Sequence, residues 1–278
     1  RSSDLIIKKE YPQFTPLNKY PSTDLIKKPV FNAYVLLSKL GTQRLSVKCD
    51  QEGFGRKFGV LPTKAEDVLS VMVWNFEDGM ADDVNDRSIK LNIEHIQEEG
   101  KYRLVHYRID GNHSNAYNIW SELGRPYDPS LDEIKKMRQR EGLELYQPVK
   151  EIDLDDNMEL ELHMPMHSVS LLLFLPLSTK KPHTPSGLSA RYEEGFNKNP
   201  QVFLKWNPNE EKDVLYYKIW RREQSREDYE LISDNTSVNT AVYVDMNVEI
   251  GSSYLYKIQA VNASMICSDF SDTVSVKV

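Results

Sequence analysis

Four groups of residues in this chain have types and spacings that could do chemistry. Glu159 and Glu161 occupy alternate positions of one strand-like run. Glycoside hydrolysis with retention would need two carboxyls about 5 to 5.5 Å apart on either side of a bond, whereas alternation in a half-buried strand puts both on the solvated face. His163-Met-Pro-Met-His167 offers imidazole and thioether ligands of the kind that suit a soft metal. Pro165 breaks a strand there, so the expectation is a bulge with two methionines turned into the protein and no metal. Asp78, Asp82, Asp83 and Asp86 crowd the turn between Glu77 and Arg87 without the spacing of an EF-hand, and read as a solvated hairpin. The fourth group is His113-Ser-Asn115, which lacks the partners of a nucleophilic triad. His113 and Asn115 are the substrate-proximal candidates, because polar loops on rigid scaffolds are common site material; the other reading is a loop that caps the segment holding Trp120. Asn112-His-Ser, Asn235-Thr-Ser and Asn262-Ala-Ser are candidate glycosylation sites at Asn112, Asn235 and Asn262. No catalytic residue and no cofactor is assigned.

The elements that must position these residues are mostly strands. Pro29 opens and Gly41 closes a segment with Val30, Phe31, Tyr34, Val35, Leu37 and Leu40 at helical spacing. This predicts an amphipathic helix that needs a partner surface, and a mobile one if none is supplied. The rhythm then becomes two, with strands predicted over 44–48, 68–74, 88–93, 103–109, 158–162 and 168–174. One helix is inserted: Ser130 and Glu133 have capping-box spacing, Leu131, Ile134 and Met137 form a narrow stripe, and Gly142 is the expected stop. Prolines at 182 and 185 mark a short stiff linker from Lys180 to Pro185. Beyond it, strands are predicted over 202–206, 216–221, 229–232, 242–245, 254–261 and 273–278, with Trp206 and Tyr256 in one core. The contacts between the two modules are expected to be small and polar.

Composition narrows the function classes. The 278 residues carry a formal charge of −7, and the basic pairs Lys27-Lys28, Lys135-Lys136 and Arg221-Arg222 are scattered, so nucleic acid is not an expected partner. The longest apolar run, Val169 to Leu175, is far below the roughly 20 residues of a membrane span, so no membrane partner is expected. Cys49 and Cys267 lie near opposite ends and read as two separate thiols. Arg1 is preceded by neither an initiator Met nor an apolar signal region, which reads as a fragment or processed product.

The stretch from Tyr107 to Arg140, with Asp-Gly-Asn-His-Ser-Asn, Trp120, Leu-Gly-Arg-Pro126 and the Ser130-capped helix, resembles the accessory β-sandwich of glycoside hydrolase family 39, which holds β-xylosidases and α-L-iduronidases. Tyr254-Leu-Tyr-Lys-Ile-Gln-Ala-Val-Asn262 resembles the penultimate strand of fibronectin type III domains. A sandwich followed by such a domain is similar to the α-L-iduronidase arrangement, and Lys28-Pro29-Val30 looks like the start of that arrangement's last barrel helix. The resemblance departs at the cysteines, since none lies near Leu173 to Leu177 or near Asp213. The resemblance implies a mainly β chain. It comprises a remnant of the last barrel strand and helix (1–41), an accessory β-sandwich with one inserted helix (42–179) and a fibronectin type III-like domain (180–278). It further implies a non-catalytic C-terminal portion of a retaining glycosidase, partnered by a catalytic (β/α)8 barrel of the same parent protein. Such a barrel takes about 250 residues, so the catalytic glutamates fall outside the chain. The implied substrate is a glycosaminoglycan or other glycoside, and the implied compartment is lysosomal or secreted. A β-xylosidase-like parent, or a free-standing module that binds protein or carbohydrate, remains open.

Overall fold

The computed structural model describes residues 14–16, 25–77, 85–94, 100–127, 129–154, 157–195, 198–233 and 238–278. The N-terminal part runs β1 (Phe14–Pro16), β2 (Leu25–Lys27), α1 (Pro29–Ser38), β3 (Gln43–Arg44), β4 (Phe58–Ala65), β5 (Val68–Asn75), β6 (Arg87–Glu94) and β7 (Gly100–Ile109). It continues with α2 (Ala116–Glu122), α3 (Leu131–Gln139), β8 (Glu144–Leu145), β9 (Lys150–Leu154), β10 (Asn157–Met164) and β11 (Ser168–Pro176). The C-terminal part is β12 (Ser189–Glu194), β13 (Pro200–Lys205), β14 (Val214–Glu223), β15 (Glu230–Leu231), β16 (Val242–Asp245), β17 (Ser253–Asn262) and β18 (Val274–Lys277).

A large antiparallel sheet has the order β3-β4-β5-β11-β7-β8, with β9 also on β7, and a β6/β10 ribbon faces it. The apolar run of β11 follows from its place in the middle of that sheet. Leu172 and Phe174 point toward the ribbon with Val73, Leu104, Leu162 and Met164. Leu171, Leu173 and Leu175 point to the opposite face with Val105 and Tyr107. A strand buried on both faces reads as continuously hydrophobic, because neither set of side chains meets water. The C-terminal part is a second two-sheet sandwich, β12-β13-β16 against β15-β14-β17-β18. Its core holds Trp206 at 2% and Tyr256 at 0% exposure, as the alternation predicted. No helix among the described residues is long and apolar enough to cross a membrane.

Several expectations need correction. The insertion between β7 and β8 holds two helices, since α2 precedes the expected α3; its seven residues are too few to show a helical period, and Asn115 starts it by accepting from the Tyr117 N–H at 3.1 Å. The capping box of α3 is present, with Ile134 and Met137 buried, but the helix ends at Gln139 on an Arg140 cap and Gly142 takes no part in the stop. Strand β4 was missed because Pro62 lies in it. Proline is tolerated near a sheet edge, and β4 is followed outward only by the two-residue β3. In the expected barrel remnant, β1 and β2 pair antiparallel, unlike the strands of a (β/α)8 barrel.

The largest correction concerns α1 and the junction between sandwiches. Leu36 is fully buried in the cluster that covers the second face of the large sheet, so this side of α1 has a partner and is not mobile for want of one. The other side leaves Val30, Tyr34 and Leu37 at 39, 55 and 48% exposure. Gly41 allows the close crossing, because a Cβ there would collide with the Lys64 backbone of β4. Leu215, Tyr216, Val261 and Ala263 of the second sandwich belong to the same buried cluster as Leu36, Tyr107 and Leu173. The contact across the linker is therefore apolar and continuous with the core, not small and polar. Polar ties add to it: Asn239 Nδ2 donates to the Leu143 carbonyl at 2.7 Å, and Ser178 N to Ser264 Oγ at 3.1 Å.

Because the cores merge, Trp206→Ala, which costs about 3 to 5 kcal/mol as a buried aromatic truncation, is expected to lower one common calorimetric transition. A sandwich transition that stays at its original temperature while the second disappears would show that the two cores are separable.

Candidate functional site

On β7, Tyr102, Leu104, His106 and Arg108 alternate toward the ribbon side, so the last two place charge-bearing groups inside the protein. A buried guanidinium must be paired and hydrogen-bonded on several sides to be tolerated. Arg108, 1% exposed, donates from Nε to Ser170 Oγ at 2.6 Å and from Nη2 to the His163 carbonyl at 3.1 Å. Its Nη1 lies 3.5 Å from Asp110 Oδ2, and its guanidinium carbon sits 4.2 Å from the centre of the Tyr146 ring. Asp110 Oδ1 accepts the N–H groups of Asn112 at 2.7 Å and His113 at 2.9 Å, and lies 2.8 Å from His113 Nδ1. Burial pushes Asp110 upward, but hydrogen bonds from His113 and the Asn112 N–H, with the charges of His113 and Arg108, outweigh it and hold the carboxyl below its usual range. His106 Nε2 is 2.9 Å from Ser170 Oγ, and the ring is pushed down to about 3 by burial, then by the charges of Arg108, His113 and Lys150.

Ser170–His106 and His113–Asp110 each have half the geometry of a nucleophilic triad, but the halves rest on different histidines. Ser170 is fully buried and its Oγ is engaged by Arg108, so no substrate reaches it. The arrangement fixes backbone instead. Ser114, held at φ 54°, donates from Oγ to the Arg108 carbonyl at 2.7 Å and from N to Glu144 Oε2 at 2.7 Å. Asn115 Nδ2 donates to the Asp110 carbonyl at 3.0 Å. Asn32 of α1 then donates from Nδ2 to the Ser114 carbonyl at 2.9 Å and the Glu141 carbonyl at 3.0 Å. The two substrate-proximal candidates thus sit in a loop that braces the inner side of α1: Asn115 caps α2, and His113, 30% exposed in its side chain, ties the loop to Asp110.

Arg108, Asp110 and Tyr146 were not singled out from the sequence, although an arginine in phase with Tyr102 and Leu104 on one strand is the signal that could have found them. A second missed feature is a cleft of about 190 Å³ between the sandwiches, bordered by Lys39, Val68, Leu173, Asn209 and Lys212. Burial, aided by the charge of Lys212, lowers the Lys39 amine to about 8.

The other sequence candidates disperse. Glu159 and Glu161 are exposed on β10. Met164 is fully buried, Met166 is half-buried in a turn, and His163 faces Asp86 at 3.6 Å, so a single methionine, not two, enters the core. Asp78, Asp82 and Asp83 lie outside the described residues, as does Asn235. Among the described residues no three or more His, Cys, Asp or Glu side chains gather as metal ligands. Cys49 and Cys267 are unbridged. Asn112 is exposed, but Asn262 is 1% exposed on β17, with Nδ2 donating to the Lys180 carbonyl and Oδ1 accepting from the Ile266 N–H. That burial removes Asn262 as a glycan acceptor in the folded chain.

Residues 11–154 match the family model of glycosyl hydrolases family 39. The chain belongs to that family. A bacterial orthologue of human α-L-iduronidase superposes over 95% of this chain and 46% of its own length, with a TM-score of 0.81 at 19% identity, which shows a shared fold. The family 39 enzyme from Xanthomonas axonopodis pv. citri overlaps 55% of this chain and 31% of its own, at 17% identity and a TM-score of 0.47. A monomeric β-xylosidase from Caulobacter crescentus CB15 overlaps by the same shares, at 18% identity and a TM-score of 0.46. No curated protein sequence matches. The chain spans less than half the length of each of these solved enzymes.

Two outcomes are expected. In the unfolded chain His106 titrates near 6.5 but in the folded chain near 3, so between those values the unfolded state binds more protons. Stability from this residue is full above about pH 6.5 and falls toward pH 3, by up to about 1.4 kcal/mol per pH unit. His106→Gln should flatten that slope in denaturant titrations, and an unchanged slope would contradict the assignment. Expressed through a glycosylating secretory route, the chain should carry glycan at Asn112 and none at Asn262 by peptide mass mapping; modified Asn262 would contradict its burial.

Proposed function

We propose that this chain is the non-catalytic C-terminal portion of a retaining glycosidase of family 39, similar in arrangement to α-L-iduronidase. It supports a catalytic (β/α)8 barrel that acts on uronic-acid-bearing glycosaminoglycan ends in a lysosomal or secretory compartment. One observation carries the reading: the outward face of α1. Val30, Tyr34 and Leu37 stand exposed on a helix whose inner face is anchored by Leu36 and by Asn32 on the Ser114 loop. An apolar stripe on a rigidly held helix is suited to a large protein partner. The family membership and the fold shared with the iduronidase orthologue support a barrel as that partner. In this reading residues 1–41 supply the contact, 42–179 the platform and 180–278 its backing. His113 and Asn115 serve by bracing the helix from beneath, and the exposed Asn112 sequon is consistent with a secretory route.

Two measurements test it. Chain 1–278 alone should turn over neither aryl iduronides nor aryl xylosides, and activity that survives repurification would overturn the non-catalytic assignment. In the complete parent enzyme, Tyr34→Asp with Leu37→Asp should lower the temperature of inactivation while iduronide hydrolysis persists at low temperature; an unaltered inactivation temperature would remove α1 from the barrel contact, and a parent that cleaves only xylosides would remove the glycosaminoglycan assignment.

A further inference from the structure

The outer face of the β15-β14-β17-β18 sheet has a composition unlike the rest of this acidic chain. The inward positions of β14 and β17 hold Tyr217, Ile219, Tyr254, Tyr256, Ile258 and Ala260. The outward ones follow from the register: Tyr216 opposite Val261, Lys218 opposite Gln259, Trp220 opposite Lys257 and Arg222 opposite Leu255. On β18, Ser275 lies opposite Leu255 and Lys277 opposite Ser253. Tyr216 and Val261 dock on the first sandwich. The remaining outward strand positions are half-buried except for the exposed Ser275 and Lys277, and they hold four cations and no carboxylate. Lys218, Arg222, Lys257 and Lys277 form no ion pair among the described residues. At the rim, Asp269 is taken by Lys181 at 2.7 Å.

Aromatic rings are interleaved with these cations. Lys257 Nζ lies 4.0 Å from the Tyr229 ring centre and 3.8 Å from that of Phe270. Arg222 approaches the Tyr229 ring at 5.4 Å, and Trp220 meets Phe270 edge-on at 6.0 Å. Phe270 is 43% exposed, and the Trp220 Nε1 donor has no hydrogen-bond partner. Such contacts preorganise the cations at a modest energy each; Glu223, Glu227, Asp228 and Glu230 border the same cleft as Arg222 on the β15 side, so the uncompensated charge lies toward Lys218, Lys257 and Lys277. Residues two apart on a strand repeat on one face at about 6.6 Å, so Lys218 and Arg222, with Lys257 beside them, form a charged track along the sheet. Its complement is an extended anion with apolar faces between its charges.

We propose that this face is a docking track for an acidic polysaccharide, a chain whose uronate or sulfate groups meet the four cations while sugar-ring faces lie against Phe270 and Trp220. The proposal rests on the glycosaminoglycan reading above and deepens it, giving the C-terminal sandwich a substrate-holding role. Nucleic acid is the competing polyanion. The sparse cations and overall negative charge disfavour it, since affinity for a phosphate backbone grows with the number of neutralised phosphates.

The test titrates the 278-residue chain with a sulfated, uronate-containing hexasaccharide, with neutral xylohexaose and with a single-stranded oligothymidylate of matched charge, following backbone amide shifts. The sulfated probe is expected to move the amides of β14, β17 and β18 and to bind at least about tenfold more weakly to Lys218→Ser/Lys257→Ser/Lys277→Ser, whose folding circular dichroism checks because Lys218 and Lys257 are half-buried and only Lys277 is exposed. Phe270→Ala should weaken binding at unchanged salt dependence. No binding of the sulfated probe, equal binding by the triple variant, or oligothymidylate binding as tight as the sugar would each overturn the proposal. Failure here with an iduronide-cleaving parent would leave the functional reading intact. Sulfated-probe binding with a xyloside-specific parent would instead sink that reading and keep the track.

Discussion

Strand β11 must be covered on both faces, and the remaining architecture follows from how that is done. Leu171, Leu173 and Leu175 are as buried as Leu172 and Phe174, and each fully buried side chain of this size contributes about 1.5 to 3 kcal/mol relative to exposure. The β6/β10 ribbon covers only the second set. The first would face water if the chain were a simple two-layer sandwich with a remote appended domain. Helix α1 and the Tyr216–Val261 end of the second sandwich fill that layer. The helix that carries the exposed Val30, Tyr34 and Leu37 is thus oriented by the central core of the molecule.

At the end of β7 the same sheet switches from apolar to polar burial. Burial lowers the Arg108 pKa, and Asp110 and Tyr146 offset part of that, while Ser170 and the His163 carbonyl take up its other hydrogen bonds. Breaking a buried pair costs more than the pair itself contributes. The loop from Asp110 to Asn115 is therefore held in one conformation, including the left-handed Ser114, and passes that rigidity to Asn32. Apolar packing holds the Leu36 side of α1 and the polar loop holds it through Asn32, an arrangement suited to presenting a surface to another domain.

The parts legible in the sequence were those set by local pattern. Alternation gave the second sandwich, including Trp206 and Tyr256, because a half-buried strand prints its period directly. The Ser130–Glu133 box gave α3. What stayed hidden depended on partners distant in the chain. Leu215 and Tyr216 look like ordinary strand residues, and only the folded arrangement puts them against Leu173 and Leu36. The apolar residues of α1 lie on two sides of the helix, and spacing alone could not say which side the chain itself covers. Among the site candidates, the reading of the 113–115 loop as a cap for the Trp120 segment is the one the hydrogen bonds match: Asn115 accepts from Tyr117 at the start of α2, and His113 bonds to Asp110 within the loop.

The central claim is that both sandwiches and α1 form one cooperative body. Native-state hydrogen exchange across a denaturant series tests it most directly. The account predicts that the amides of Leu36, Leu173, Tyr216 and Val261 converge on a single opening free energy with one denaturant dependence. Convergence of Tyr216 and Val261 on a lower, separate isotherm with the other strands of their own sandwich, while Leu173 stays protected, would contradict it.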